Sequence, residues 1–134
     1  MYLLDTNACI HLLKDTSPRL LERSQQHDPS EIKLCSVVKA ELFYGAQRSS
    51  QREANLSLLQ RFFTVFESVP LDDESASHYG QIRVALEKSG SLIGPNDLMI
   101  ASIARAHGFV LVTHNTGEFS RVTGLQIEDW ELAV

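Results

Sequence analysis

Three acidic residues stand in apolar surroundings, where their charge is hard to explain as ordinary solvated surface. Asp5 ends the first hydrophobic run, residues 2–4, and an apolar helical pattern follows it directly. Glu41 and Asp97 lie inside two further apolar helical segments. Because burying an unpaired carboxylate is costly, these three acids together predict a shared site that holds a metal cation.

A second polar group is expected at the same place in the fold as Asp5. His114, Asn115 and Glu118 follow the apolar run at residues 109–113, which is typical of a strand. Asn115 and Glu118 are therefore candidate site residues, and His114 is a candidate metal ligand. The simpler interpretation is an ordinary Asn- and Gly-containing loop whose side chains cap their own backbone.

The elements that must position these residues follow from the hydrophobic pattern. Strand and helix signals alternate, which favours an α/β fold with a small, mainly parallel sheet flanked by helices. In such sheets ligands bind at the carboxyl ends of the strands, where Asp5 is expected. No repeat or linker interrupts the 134 residues, so we expect one domain over residues 1–134. Strands are predicted at 2–5, 32–35, 69–71, 109–113 and 125–127, and helices at 7–14, 18–26, 37–47, 53–66, 73–89 and 96–107.

Each acid also has a simpler structural interpretation. Asp5 is a favoured N-cap residue, although Thr6 and Asn7 could cap the helix equally well. Glu41 fits a solvated helix face. Ser36 is expected to cap that helix, and capping does not account for an acid at position 41. Asp97 fits a partner of the helix dipole. Asn96 could cap the helix in place of Asp97. The buried charge of Asp97 would then have no structural role unless it binds a cation.

The composition limits the classes of function. The chain has 17 acidic and 12 basic residues and a net charge of −5, which argues against binding nucleic acid by long-range attraction alone. It does not exclude a nucleic-acid enzyme that carries divalent cations. No apolar run is long enough for a membrane span, and a signal peptide is not expected. Cys9 and Cys35 lie in apolar patterns, so we expect reduced core thiols in a cytoplasmic protein.

Oxygen ligands without a cysteine or histidine cluster favour Mg²⁺, with Mn²⁺ as the alternative. Such ions can clamp the attacking and leaving oxygens of a phosphoryl displacement, which predicts metal-assisted phosphodiester hydrolysis. In this interpretation Asp5 and Asp97 are direct metal ligands. Glu41 is either a third ligand or the residue that orients the attacking water.

Five motifs in order resemble the PIN-domain ribonucleases of the VapC toxin type, and the resemblance covers essentially the whole chain. It implies a PIN domain, a homodimer, Mg²⁺-dependent cleavage of structured RNA, and inhibition by a VapB-type antitoxin in a heteromeric complex. Family substrates include tRNAs, the initiator tRNA among them, and ribosomal RNA; tRNA is favoured here. The motifs are Leu4-Asp5-Thr6-Asn7, Ala40-Glu41-Leu42-Phe43-Tyr44-Gly45-Ala46, Gly94-Pro95-Asn96-Asp97-Leu98, Leu111 to Phe119, and Gly124 to Trp130.

Asp5, Glu41 and Asp97 match the three acids of that family, and the fourth family position departs from its pattern. The family commonly has Thr-Asn-Asn followed by Arg-Glu-Phe. In this chain His114 replaces one Asn and Gly117 replaces the Arg, whereas Asn115 and Glu118 remain. The resemblance therefore implies that the latter two line the site, and that the contacts of the missing Arg are lost.

Two other functions compete with this interpretation. A phosphatase of the haloacid dehalogenase type also begins with an aspartate at a strand end, but it needs a second aspartate where this chain has Asn7. A PIN-like scaffold that binds RNA or a partner without cleaving it is the non-enzymatic alternative. The three acids argue against that scaffold, because binding alone needs no cluster of charges near the core.

Overall fold

Five strands and seven helices alternate along residues 1–132, the part of the chain that the computed structural model describes. None of the helices in this range is long and apolar enough to span a bilayer. A short 3₁₀ turn at Pro29–Glu31 precedes the second strand. The elements are β1 (Tyr2–Leu4), α1 (Thr6–Lys14), α2 (Pro18–Gln25), β2 (Ile32–Cys35), α3 (Ser36–Gln47), α4 (Arg52–Phe63), β3 (Glu67–Val69), α5 (Asp73–Lys88), α6 (Pro95–His107), β4 (Val110–Val112), α7 (Thr116–Phe119) and β5 (Ile127–Glu128).

The strands form one parallel sheet in the order β3-β2-β1-β4-β5, which confirms the predicted α/β class. The chain first builds outward from β1 through β2 to β3, and then crosses to the other side of β1 to add β4 and β5. The strand order therefore reverses between β1 and β4. At such a switch point the loops leave in opposite directions and open a crevice at the carboxyl ends of the strands.

The core lies on both faces of this sheet. Strands β1 and β4 are short apolar runs, as expected for parallel strands covered by helices on either side, and β2 is fully buried although it carries Lys33. Helix α6 is buried along Leu98 and residues 100–104, which confirms the prediction of a buried helix. Cys9 and Cys35 are buried free thiols, and burial raises the pKa of Cys35 to about 11.

Two predicted helix caps differ in the structure. Cys35 occupies the N-cap position of α3, so Ser36 is already helical, and its hydroxyl donates to the carbonyl of Val69 at 3.4 Å. Gly94 occupies the N-cap position of α6, and Asn96 lies within the first turn. Pro95 explains this start, because proline lacks an N–H and is favoured at the first helical position.

The segment after β4 is not a simple loop, because Thr116–Phe119 form a single helical turn. Four residues are too few to show a helical period in the sequence, so the pattern gave no signal for α7. The turn carries Phe119 into the core, where it is 1 % exposed. It also turns Glu118 toward the start of α6, where the Gly94 N–H donates to the Glu118 carboxylate at 3.2 Å.

The last described segment closes the core through Trp130, whose side chain is fully buried. The indole stacks on the His27 ring at 5.0 Å between centroids and meets the Tyr2 ring edge-on, also at 5.0 Å. Its N–H donates to Glu128 at 3.0 Å, and the Arg23 guanidinium lies over the ring. The C-terminal segment is therefore part of the fold rather than an appended tail.

We expect Trp130→Ala to lower the free energy of unfolding by about 3–5 kcal/mol, because it removes a fully buried aromatic and leaves a cavity. Trp130→Phe keeps a ring between Tyr2 and His27 and should cost less. Urea denaturation followed by circular dichroism measures both. Leu92→Ala is the control, since Leu92 is 47 % exposed. Equal stability of wild type and Trp130→Ala would contradict this account of the C-terminal segment.

Candidate active site

The acids predicted from the sequence meet in one cleft, which lies at the reversal of strand order between β1 and β4. The cleft has a volume of about 450 Å³. That is many times the share of one water in the liquid, about 30 Å³, so it has room for hydrated ions and a phosphate group. Its lining residues are Asp5, Thr6, Asn7, Ile10, Glu41, Tyr44, Asn96, Asp97, Asn115 and Phe119.

Asp5 is both a helix cap and a member of the cleft. It follows β1 directly, and one carboxylate oxygen accepts a hydrogen bond from the Ala8 N–H at 2.8 Å. The simpler interpretation of Asp5 is therefore correct but incomplete, because a carboxylate has about four acceptor sites and the cap uses one. Its side chain is only 4 % exposed. Burial raises its pKa, and hydrogen bonds from the Thr113 side chain and the Ala8 N–H partly offset that rise.

Glu41 reaches the cleft from α3 and is held there by Thr6. The Thr6 hydroxyl donates to Glu41 Oε1 at 2.7 Å, a contact between residues 35 positions apart. Sequence reasoning considered Thr6 only as a helix cap and missed this role. No local pattern signals such a contact, because it depends on how α1 and α3 pack.

Asp97 and Glu118 approach each other from two elements. Asp97 lies in the first turn of α6, and Glu118 belongs to α7. Glu118 accepts hydrogen bonds from the Gly94 N–H and from the Asn115 side-chain amide. Asn115 thus lines the cleft directly, whereas Glu118 is not one of the lining residues but contacts Asp97.

The electrostatics of the cleft are dominated by these close acids. The pKa of Asp97 rises to about 7, mainly because burial disfavours its charged form. The charge of Glu118 and a hydrogen bond to it raise this pKa further, and Glu41 and Asp5 add repulsion. Asp97 therefore holds a proton more readily near neutral pH than an ordinary aspartate does when no cation is present.

His114 lies outside the cleft lining and belongs to a neighbouring network. Its Nδ1 is 2.8 Å from an Asp129 carboxylate oxygen, and His11 Nδ1 is 2.7 Å from Glu131. Ligand atoms of His114, Asp129 and Glu131 lie within 4.8 Å of one another. The hydrogen bond and the charge of Asp129 raise the pKa of His114. Sequence reasoning missed both acids: Asp129 was noted only as part of the last motif, and Glu131 lies just beyond that motif.

The donor atoms of the cleft suit a hard divalent cation. Among the described residues that line it, Asp5, Glu41 and Asp97 offer carboxylates, while Thr6 and Asn115 offer neutral oxygens. Mg²⁺ and Mn²⁺ prefer oxygen ligands of this kind. A cation among the three acids would also relieve the repulsion that raises the pKa of Asp97.

Comparison with known proteins agrees with this geometry. The profile of the PIN domain matches residues 2–125. The chain belongs to the PIN-domain family. It is 41 % identical to a "tRNA(fMet)-specific endonuclease VapC" of Shigella flexneri, with 96 % of this chain and 97 % of that protein covered. A protein of the same name from Salmonella typhimurium is 40 % identical, again over 96 % and 97 % of the two chains.

The fold of the chain is that of a VapC protein. A crystal structure of DNA-bound VapBC from Salmonella typhimurium superposes with a TM-score of 0.91 and 39 % identity, covering 96 % of this chain and 97 % of that one. The resemblance to VapC-type PIN domains that the five motifs carry is thereby confirmed.

We expect Asp97→Asn to stabilise the metal-free protein at pH 8. The pKa of Asp97 is higher in the folded protein than its ordinary value of 3.8, so folding favours the protonated form. Stability is therefore lost as the pH rises from 3.8 to about 7. The side chain is partly solvated, and screening reduces the expected gain of the variant to about 1–2 kcal/mol.

Urea denaturation in EDTA at pH 4 and pH 8 measures this effect. The difference between wild type and Asp97→Asn should be small at pH 4 and appear at pH 8. Glu22→Gln, which removes an exposed acid on α2, controls for net charge. A variant less stable than wild type at pH 8 would show that the Asp97 carboxylate is not under electrostatic strain.

Proposed function

We propose that this chain is a Mg²⁺-dependent endoribonuclease toxin of the VapC type that hydrolyses phosphodiester bonds in structured RNA, with tRNA as its substrate. The carrying observation is that Asp5, Glu41 and Asp97 converge on one cleft at the switch point of the sheet. The names of the two tRNA(fMet)-specific relatives support the substrate class. The proposal extends the PIN domain over the whole of residues 1–134 and takes the active form to be a homodimer.

Asp5, Glu41 and Asp97 would hold the cation, with Mg²⁺ preferred over Mn²⁺. When bound, the divalent ion stabilises charge on the phosphate and makes water a better nucleophile. A cation held there would favour the ionised form of Asp97, because a nearby positive charge stabilises a carboxylate.

The chain's own residues then divide the remaining work. Thr6 holds Glu41 so that its carboxylate can orient the attacking water and accept its proton. Asn115 holds Glu118 against Asp97 and offers the cleft a neutral side chain at its rim. The fixed acids lie on rigid helix and strand ends, which favours a defined position for the scissile phosphate.

The proposed partner is a VapB-type antitoxin. The solved relatives that carry the fold are VapBC complexes, two of them bound to DNA. A metal-free cleft with several acids is also a receptor for an arginine or lysine side chain, which could displace the cation. Charge reversal of basic residues in the antitoxin's tail should therefore abolish inhibition; unchanged inhibition would show that the acids do not hold the antitoxin.

A non-catalytic PIN-like scaffold is the alternative to an enzyme. It would bind RNA or a partner through the same surfaces but would have no use for acids that repel one another in the cleft. Metal binding does not separate the two functions, since a scaffold could bind a cation as well. Cleavage of RNA does.

We expect purified protein to cut total tRNA into discrete fragments with Mg²⁺, but not with EDTA or in Asp5→Asn. Asparagine is as good an N-cap as aspartate, so this variant removes the charge while keeping α1 capped. Gel electrophoresis of the products measures cleavage, and ribosomal RNA is the second substrate. Intact tRNA and rRNA in every lane would favour the scaffold, and cleavage by Asp5→Asn would exclude Asp5 from the reaction.

We further expect Thr6→Val to reduce kcat about tenfold, which corresponds to the loss of one hydrogen bond to a charged group. Val keeps the branched shape of the side chain but cannot donate to Glu41. Thr6→Ser restores the hydroxyl and should restore kcat. Steady-state cleavage of tRNA distinguishes this positioning role from a structural one, because a structural role would not be rescued by serine.

A further inference from the structure

Helix α3 carries two apolar faces, and only one of them belongs to the core. Val38, Leu42 and Ala46 are buried in the core. Val37, Ala40 and Tyr44 lie on another face, at the helical spacing that also places Glu41 there. On this face Tyr44 is 65 % exposed, the largest exposure among the large hydrophobic residues of the described chain.

This second face lines a pocket that opens beside the acids. The pocket has a volume of about 400 Å³. Val37, Ala40 and Tyr44 form one wall, Met99 of α6 and Leu71 form the other, and Ser36 completes it. Glu41, Tyr44 and Asn96 line both this pocket and the acidic cleft, so the two are continuous.

We propose that this pocket, hereafter the α3–α6 pocket, binds an unpaired nucleobase of the RNA next to the phosphodiester that is cleaved. The proposal rests on the proposed ribonuclease function and names a recognition element for it. Proteins that read single-stranded or looped RNA splay bases out and stack them on aromatic side chains. Tyr44 offers such a ring at the boundary between the α3–α6 pocket and the cleft, and Asn96 offers an amide for the base edge.

Arg48 supports this arrangement one helical turn beyond Tyr44. Its guanidinium lies 5.4 Å from the centre of the Tyr44 ring, a distance typical of a cation–π contact. The contact steadies the ring and places a positive charge beside Tyr44, where an RNA phosphate can meet it. Such a local cation matters in a chain of net charge −5, since long-range attraction to RNA is weak.

The chemistry of the α3–α6 pocket favours a neutral, flat, apolar ligand. Its walls are aliphatic, aromatic and thioether groups, and its one acid, Glu41, is shared with the cleft. An anionic group would be repelled there, whereas a base stacks on the ring and keeps its own phosphate toward the cation site. An antitoxin side chain and a second copy of this chain are the competing occupants.

The test measures binding rather than cleavage, so that it stands apart from the catalytic proposal. Asp97→Asn serves as the inactive parent, and Tyr44→Ala and Tyr44→Trp are added to it. The probes are a labelled single-stranded adenosine hexamer and the same hexamer built from abasic ribose units, both with Mg²⁺, followed by fluorescence anisotropy. Val84→Ala in the same parent is the control, since Val84 is 51 % exposed on α5.

We expect Tyr44→Ala to weaken binding of the adenosine hexamer about tenfold or more, as the loss of one stacked base does. The loss should be smaller on the abasic hexamer, Tyr44→Trp should restore binding, and Val84→Ala should resemble the parent. Equal weakening on both hexamers, or none, would overturn the base pocket. Two further results would overturn the base pocket if Tyr44→Ala still binds RNA like the parent. Escape from the antitoxin would assign the pocket to an antitoxin side chain, and loss of the dimer would assign it to a second copy of this chain.

Two results distinguish failure of the catalytic proposal from failure of the base-pocket proposal. Wild-type protein that binds the adenosine hexamer more tightly than the abasic one but cleaves no RNA would contradict the ribonuclease and leave the base pocket intact. Wild-type protein that cleaves tRNA while Tyr44→Ala shows no loss of hexamer binding would contradict the base pocket alone.

Discussion

The burial of several acids close to one another is the constraint on which the rest of this structure depends. Asp5 is nearly buried, and the pKa of Asp97 reaches about 7 because burial and neighbouring acids disfavour its charge. The fold tolerates this cluster because α1 and α6 both begin at the cleft. Their N-terminal N–H groups carry partial positive charge toward the acids, and Asp5 takes one of these N–H groups directly. Strand β1 ends where α1 begins, whereas α6 follows α5 and begins beside the cleft residues Asn96 and Asp97.

The sequence predicted the parts of the site that local patterns reveal. Asp5 and Asp97 could be found because each interrupts an apolar run with a charge. The observed bounds of β2, Ile32–Cys35, equal the predicted ones. The Thr6–Glu41 hydrogen bond could not be found, because it joins residues 35 positions apart whose helices pack only in the folded chain. The contact of Glu118 with Asp97 was equally hidden, since it needs a helical turn of four residues that has no detectable period.

Two roles, capping a helix and lining the cleft, explain the ambiguous residues. Asp5 had two interpretations, and the structure gives it both, because one carboxylate oxygen suffices for the Ala8 N–H. Asn96 was expected as a cap, but Pro95 moves the helix start back to Gly94 and leaves the Asn96 side chain in the cleft wall. Capping propensity predicts which residues can cap a helix, and backbone geometry decides which of them does. Because Gly94 is the cap of α6, the Asn96 side chain is available to a ligand.

In the proposed ribonuclease, the distribution of charge would assign RNA binding and RNA cleavage to different residues. A cleft that concentrates acids repels phosphate until a cation fills it, so in the proposed ribonuclease it contributes little to substrate affinity on its own. Affinity must come from contacts that do not depend on net charge, and the exposed ring of Tyr44 with Arg48 above it is such a contact. The same repulsion makes the metal-free cleft receptive to a basic side chain. Cation and antitoxin would then compete for the same carboxylates, while the α3–α6 pocket beside them recognises the RNA.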